Sequence, residues 1–127
     1  MSHRILVVED NLLNLELLCD WLDTEGYTAE AAVNLREAFA AFVRQPPDAV
    51  LLDVQLGTED GLSLAMWIRS DTQFRSLPVI AVTAHAMLTD QQRVLQAGCN
   101  ACVSKPIDFQ LLSKHLRAYL SGHSLSL

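Results

Sequence analysis

Five side chains able to bind ions or react each stand at the end of a short apolar run. Ile5-Leu6-Val7-Val8 leads into Glu9-Asp10, and Ala49-Val50-Leu51-Leu52 into Asp53. Val79-Ile80-Ala81-Val82 leads into Thr83, and Cys102-Val103-Ser104 into Lys105-Pro106. Runs of this length and composition read as strands. In a parallel α/β sheet, groups that follow strands gather in the crevice beyond the strands' carboxyl ends. Three carboxylates, a hydroxyl and an ammonium would then share one pocket. Carboxylates so crowded repel one another unless a proton or a cation neutralises them. Hard oxygen ligands favour Mg2+ or Ca2+, and few carboxylates with several waters and a phosphate partner favour Mg2+. Asp10 and Asp53 read as direct ligands, Glu9 as one acting through water. A carboxylate can also attack phosphorus to give an acyl phosphate. Asp53 ends the expected central strand and is the candidate nucleophile. Lys105 supplies positive charge opposite the metal, and Thr83 a hydrogen bond to a phosphoryl oxygen. Singly, an aspartate after a strand is often only a turn former or a helix cap. Together, the groups occupy one topological position in successive units, which chance turn formers do not.

The elements that must position these groups alternate along the whole chain, the pattern of repeated βα units. A helix is expected from about Asn11 to Glu25, closed by Gly26, and then a strand over residues 28–32. Asn34 and Glu37 have capping-box spacing for a helix reaching Arg44. Pro46-Pro47 leads into the third strand. A loop from Val54 to Asp60 precedes a helix from about Gly61 to Ser70. The fourth strand begins at Pro78, and Thr89 with Gln92 has cap spacing for a helix that stops at Gly98. A short fifth strand follows, and Asp108 caps a last helix to about Leu120. The expectation is one (βα)5 domain over residues 1–120 with a frayed tail, 121–127. The first helix carries two apolar stripes, Leu12-Leu15-Cys19-Leu22 and Leu13-Leu17-Trp21. One should face the sheet and the other is expected to be further core, since large exposed patches are rare on monomers.

Composition narrows the classes. A chain of 127 residues, half of them hydrophobic, supports one core and little else. No apolar run approaches the ~20 residues needed to span a bilayer, so no membrane association is expected. The net charge of −6, with no basic block, argues against direct nucleic-acid binding. Three cysteines suggest reduced thiols and a cytoplasmic setting. Cys99 and Cys102 have CxxC spacing but lie at a helix end before a strand, where no helix dipole lowers a thiol pKa.

The motifs Val8-Glu9-Asp10-Asn11, Leu52-Asp53-Val54 with Gly61, Val82-Thr83-Ala84 and Ser104-Lys105-Pro106-Ile107 together resemble the receiver domains of two-component response regulators. The resemblance covers essentially the whole chain and looks most like stand-alone cell-regulation receivers and those of hybrid kinases. It implies a flavodoxin-like three-layer fold with sheet order 2-1-3-4-5. It also implies phosphorylation of Asp53 by a histidine kinase or histidine phosphotransfer protein, with Mg2+ as cofactor. The metal set it implies is Glu9, Asp10, Asp53 and the backbone carbonyl of Gln55, and the Lys105–Pro106 bond should be cis. Gln55 and His85 stand where receivers tune acyl-phosphate lifetime. Phosphorylation would shift the face that binds a downstream protein, with no outside substrate turned over.

Two departures stand out. Gly57 replaces a common proline, so its loop should be looser. Cys102 replaces an aromatic that commonly signals the phosphorylated state, so readout should pass through residues 84–89 and the following helix. Rival classes fit less well. A haloacid-dehalogenase-type phosphatase needs an acid where Gln55 stands. A flavodoxin needs a phosphate cradle where Glu9-Asp10 would repel one. A pseudo-receiver would not need the complete acidic set.

Overall fold

The computed structural model describes residues 2–84 and 87–121. The strands are β1 (Arg4–Val8), β2 (Thr28–Ala32), β3 (Ala49–Asp53), β4 (Val79–Thr83) and β5 (Ala101–Ser104). The helices are α1 (Leu12–Thr24), α2 (Leu35–Arg44), α3 (Leu62–Ser70), α4 (Leu88–Gln96) and α5 (Phe109–Ser121). All strand pairings in the five-stranded sheet are parallel, and its order is β2-β1-β3-β4-β5. This is the flavodoxin-like arrangement expected.

Alternation along each strand builds a core on both faces. Ile5, Val7, Leu51, Ile80 and Val103 pack with Leu15, Leu18 and Leu22 of α1 and Leu112 and Leu116 of α5. On the other face Leu6, Val8, Val50, Leu52 and Ala81 pack with Phe42 of α2, Leu64 and Ile68 of α3 and Val94 of α4. Both faces of β3 and β4 are covered, and every residue of these two strands is buried. β3 pairs with β1 and β4, so Asp53 ends the middle strand of the sheet, opposite Val82.

Side-chain caps account for three of the five helix starts. Asn11 Oδ1 accepts from the Asn14 N–H, Asn34 Oδ1 from the Glu37 N–H, and Asp108 Oδ1 from the Gln110 and Leu111 N–H groups. Each satisfies donors that the first helical turn leaves open. α4 departs from this. It begins at Leu88 after Met87, with no side-chain cap, so Thr89 sits inside the first turn and not in the cap position.

Two other expectations are corrected. The second stripe of α1 does not become core: Leu13 and Leu17 are 78% and 56% exposed, and only Trp21 is covered, by Phe109 of α5 at 5.0 Å between ring centroids. Leu12 of the first stripe is exposed as well. α1 lies on the sheet through Leu15 and Leu22 of the first stripe together with Leu18, which belongs to neither. The segment from Val54 to Asp60 is not a plain loop either. Gln55–Leu56 pairs antiparallel with Glu59–Asp60 as a small hairpin. Gly57 takes φ +62° at the first position of its two-residue turn, while among the described residues no non-glycine residue has positive φ. That combination fits a type II′ turn, which favours glycine at that position. Proline, held near φ −65°, cannot adopt it. Gly57 therefore serves the turn of this hairpin.

The last helix runs through Ser121, and residues 122–127 of the expected tail lie outside the described residues. Among the described residues no helix is long and apolar enough to cross a membrane.

Candidate functional site

The parallel register brings the ends of β1, β3, β4 and β5 to one edge of the sheet. There Glu9, Asp10, Asp53, Gln55, Thr83 and Lys105 line a cavity of about 240 Å³. Glu9 follows β1 and is buried, with one carboxylate oxygen accepting from the Asn11 N–H at 3.1 Å. Asp10 beside it is exposed to solvent. Asp53 is 5% exposed, and its Oδ1 accepts from the Gln55 N–H at 3.0 Å. The Lys105 ammonium reaches across the sheet to Asp53 Oδ2 at 2.9 Å and Glu9 Oε1 at 3.1 Å. Its backbone N–H donates to the Thr83 carbonyl at 2.8 Å, which holds β5 and the turn after it against β4. Thr83 is buried beside Ser104 in the register. The Lys105–Pro106 peptide bond is cis.

Charge in the pocket is unbalanced. Carboxylate oxygens of Glu9, Asp10 and Asp53 lie within 4.8 Å of one another, and Lys105 offsets only part of their charge. Burial first, and then the neighbouring Asp53 carboxylate, push the Glu9 carboxyl up to about 7. The Lys105 pKa is raised as well, which for a lysine favours the charged form. Burial opposes its charge, but the hydrogen bonds it donates to Asp53 and Glu9 outweigh that, so it stays an ammonium at neutral pH. A buried acid whose ionisation is held back toward neutrality beside two further carboxylates marks a site short of positive charge. A hard divalent cation coordinated by oxygen relieves that shortage, so the residues present fit such an ion.

The structure brings Glu9, Asp10, Asp53, Gln55, Thr83 and Lys105 together. His85 lies outside the described residues. Two features go beyond the sequence reading. Lys105, expected opposite the metal and facing Asp53, also bridges to Glu9. That depends on a side-chain path across 52 and 96 residues of separation, which no local pattern encodes. Gly61 is the other. A Cβ there would overlap the Asp53 carbonyl oxygen, and the Gly61 N–H donates to the Val54 carbonyl at 2.7 Å. Glycine lets the start of α3 close against the end of β3; an isolated glycine beginning a helix was the available signal.

Cys102 is half-buried on the α2–α4 side of the sheet, and burial together with Asp90 raises its thiol pKa. Cys99 is buried and is pushed up to about 12, chiefly by desolvation. Neither thiol has the environment of a reactive cysteine.

Comparison with known proteins agrees with this geometry. The family described as "Response regulator receiver domain" matches residues 5–117. The chain is 38% identical over 120 residues to the polar-differentiation response regulator DivK of Brucella anthropi, covering 94% of this chain and 98% of the relative. The receiver domain of a signal transduction histidine kinase from Syntrophus aciditrophicus superposes with a TM-score of 0.87 at 32% identity, covering 96% of this chain and 92% of that one. A response regulator from Chloroflexus aurantiacus gives 0.89 at 28% identity, covering 95% and 99%. The chain belongs to the response regulator receiver domain family, the phosphoryl-accepting switches of two-component signalling.

Proposed function

We propose that Asp53 accepts a phosphoryl group from a phosphohistidine donor, a histidine kinase or a histidine phosphotransfer protein, in the cytoplasm, and that the modified domain then engages a downstream protein. The observation that carries this reading is the setting of Asp53. It is buried at the end of the middle strand, 2.9 Å from the Lys105 ammonium and beside two further carboxylates. Asp10, Asp53, Glu9 through water, and the Gln55 carbonyl would hold Mg2+, which when bound offsets negative charge on the phosphoryl oxygens.

In the transfer, an Asp53 carboxylate oxygen forms a bond to phosphorus as the donor's P–N bond breaks. The electron pair of that bond stays on the imidazole nitrogen. Lys105 stands where it can follow the charge from the carboxylate to a phosphoryl oxygen. Thr83 donates its hydroxyl hydrogen to another, a charge-assisted bond stronger than a neutral one. Water attack on phosphorus later returns Asp53 and inorganic phosphate, at a rate that Gln55 and His85 tune. The only chemistry is on the domain's own aspartate. Direct contact with nucleic acid is not part of this function, in keeping with the net charge of −6.

The test uses phosphoramidate, a small donor with a P–N bond. With Mg2+ the protein should gain a base-labile phosphoryl group. EDTA should prevent the gain, and Lys105→Met should slow it at least tenfold, about 1.4 kcal/mol of barrier. Labelling undiminished by both EDTA and Lys105→Met would contradict the proposal.

A further inference from the structure

The hairpin over residues 55–60 touches the pocket at one end and three helices at the other. On the pocket side, the Gln55 N–H is bonded to Asp53 Oδ1, and Gly57 lies where a Cβ would stand 3.8 Å from Asp10 Oδ2. On the far side, Glu59 Oε1 accepts from the Leu35 N–H at the start of α2, and Asp60 Oδ1 accepts from the Leu62 N–H at the start of α3, each at 3.0 Å. The other Asp60 oxygen pairs with the Arg93 guanidinium of α4. Between hairpin and α4 lies an open cleft of about 240 Å³, so this ion pair spans the gap in place of apolar packing.

We infer that this hairpin is a second output arm, which carries the state of the Asp10–Asp53 pocket to the C-terminal half of α4 through the Asp60–Arg93 pair, separately from the chain that follows Thr83. The inference rests on the proposed phosphoryl acceptance. A group added at Asp53 changes the acceptor that Gln55 N–H holds, and a cation at Asp10 draws on the carboxylate against the Gly57 turn. Both displace one end of a short antiparallel ladder, whose paired residues Gln55 and Asp60 move together. Asp60 then changes its reach toward Arg93. The arm suits a chain with Cys102 in β5, where no large ring is present to turn inward on activation.

Its strength has a ceiling. The two side chains of the pair are 57% and 45% exposed, and pairs so exposed hold at most about 1 kcal/mol, or about fivefold in population. The arm therefore biases α4 and does not by itself set its state.

The test records backbone amide NMR shifts on adding Mg2+ with beryllofluoride, which stands in for the phosphoryl group. Shifts at Gln55 and Gly57 report loading of the pocket; shifts at Val94 and Leu95 report the arm. Asp60→Asn keeps an oxygen for the Leu62 N–H but loses the charge, and Arg93→Gln loses the other. Each should roughly halve the shifts at Val94 and Leu95 with those at Gln55 unchanged, and the double variant should add nothing further. Full shifts at Val94 and Leu95 in both single variants, with the pocket loaded, would overturn the arm while leaving phosphoryl acceptance intact. No shift at Gln55 or Gly57 in the unaltered protein would overturn phosphoryl acceptance and the arm with it.

Discussion

Glu9 determines how strongly the pocket draws positive charge. Its folded carboxyl sits near 7 against an ordinary value of 4.5. A group raised on folding contributes stability that is full below its unfolded pKa and lost as pH rises through the folded one. In EDTA, the melting temperature of the protein relative to Glu9→Gln should therefore fall between about pH 5 and about pH 8. Parallel pH profiles for the two proteins would contradict this. Asp10 has the complementary task. It is exposed and free of the lysine bridge that engages Glu9, so Asp10→Ala should weaken Mg2+ binding more than Glu9→Ala. Calorimetric titration giving the opposite order would reverse their roles. At this scale the sequence was highly legible, because residue type and strand-end position together bring Asp53, Thr83 and Lys105 to one cavity. What it could not carry was the lysine bridge, a distance between groups far apart in the chain.

Among the elements, β4 ends on Thr83 at the pocket and precedes the chain leading to α4. A phosphoryl oxygen offers the Thr83 hydroxyl a charge-assisted bond, and movement toward it should shift the packing of the segment leading into α4. Hydrogen exchange with and without beryllofluoride should change most over residues 84–89. Thr83→Ala should blunt that change while Asp53 remains phosphorylatable. A largest change around Cys102, or an intact response in Thr83→Ala, would contradict this route. Element types were legible because apolar runs and amphipathic periods alternate without ambiguity. α1 resisted because its apolar residues spread over more than one face, and burial of one line among them is decided by the sheet. The hairpin resisted because two-residue strands lie below the length at which alternation can be seen. Gly57-Thr58 between Leu56 and Glu59 was its one local trace.

Across the whole molecule, stability and acceptor geometry meet at Gly61. Adding a methyl group there forces the start of α3 away from the Asp53 carbonyl. Gly61→Ala should lower stability by about 2–3 kcal/mol, roughly 6–15 °C in Tm, because overpacking has no room to relax against backbone. A thermal melt within a degree or so of the unaltered protein would show that α3 can yield there. The two-sided core followed from parallel βα units, since strands covered on both faces must be apolar throughout, as β3 and β4 are, whereas the sheet order came only with the resemblance to receiver domains. The most direct measurement is mass spectrometry of the protein after treatment with phosphoramidate and Mg2+, intact and after proteolysis. The expected result is a single phosphoryl group on the peptide that contains Asp53, absent from Asp53→Asn. Labelling of Asp53→Asn to the same extent, or a phosphoryl group mapped to Asp10, would contradict Asp53 as the acceptor.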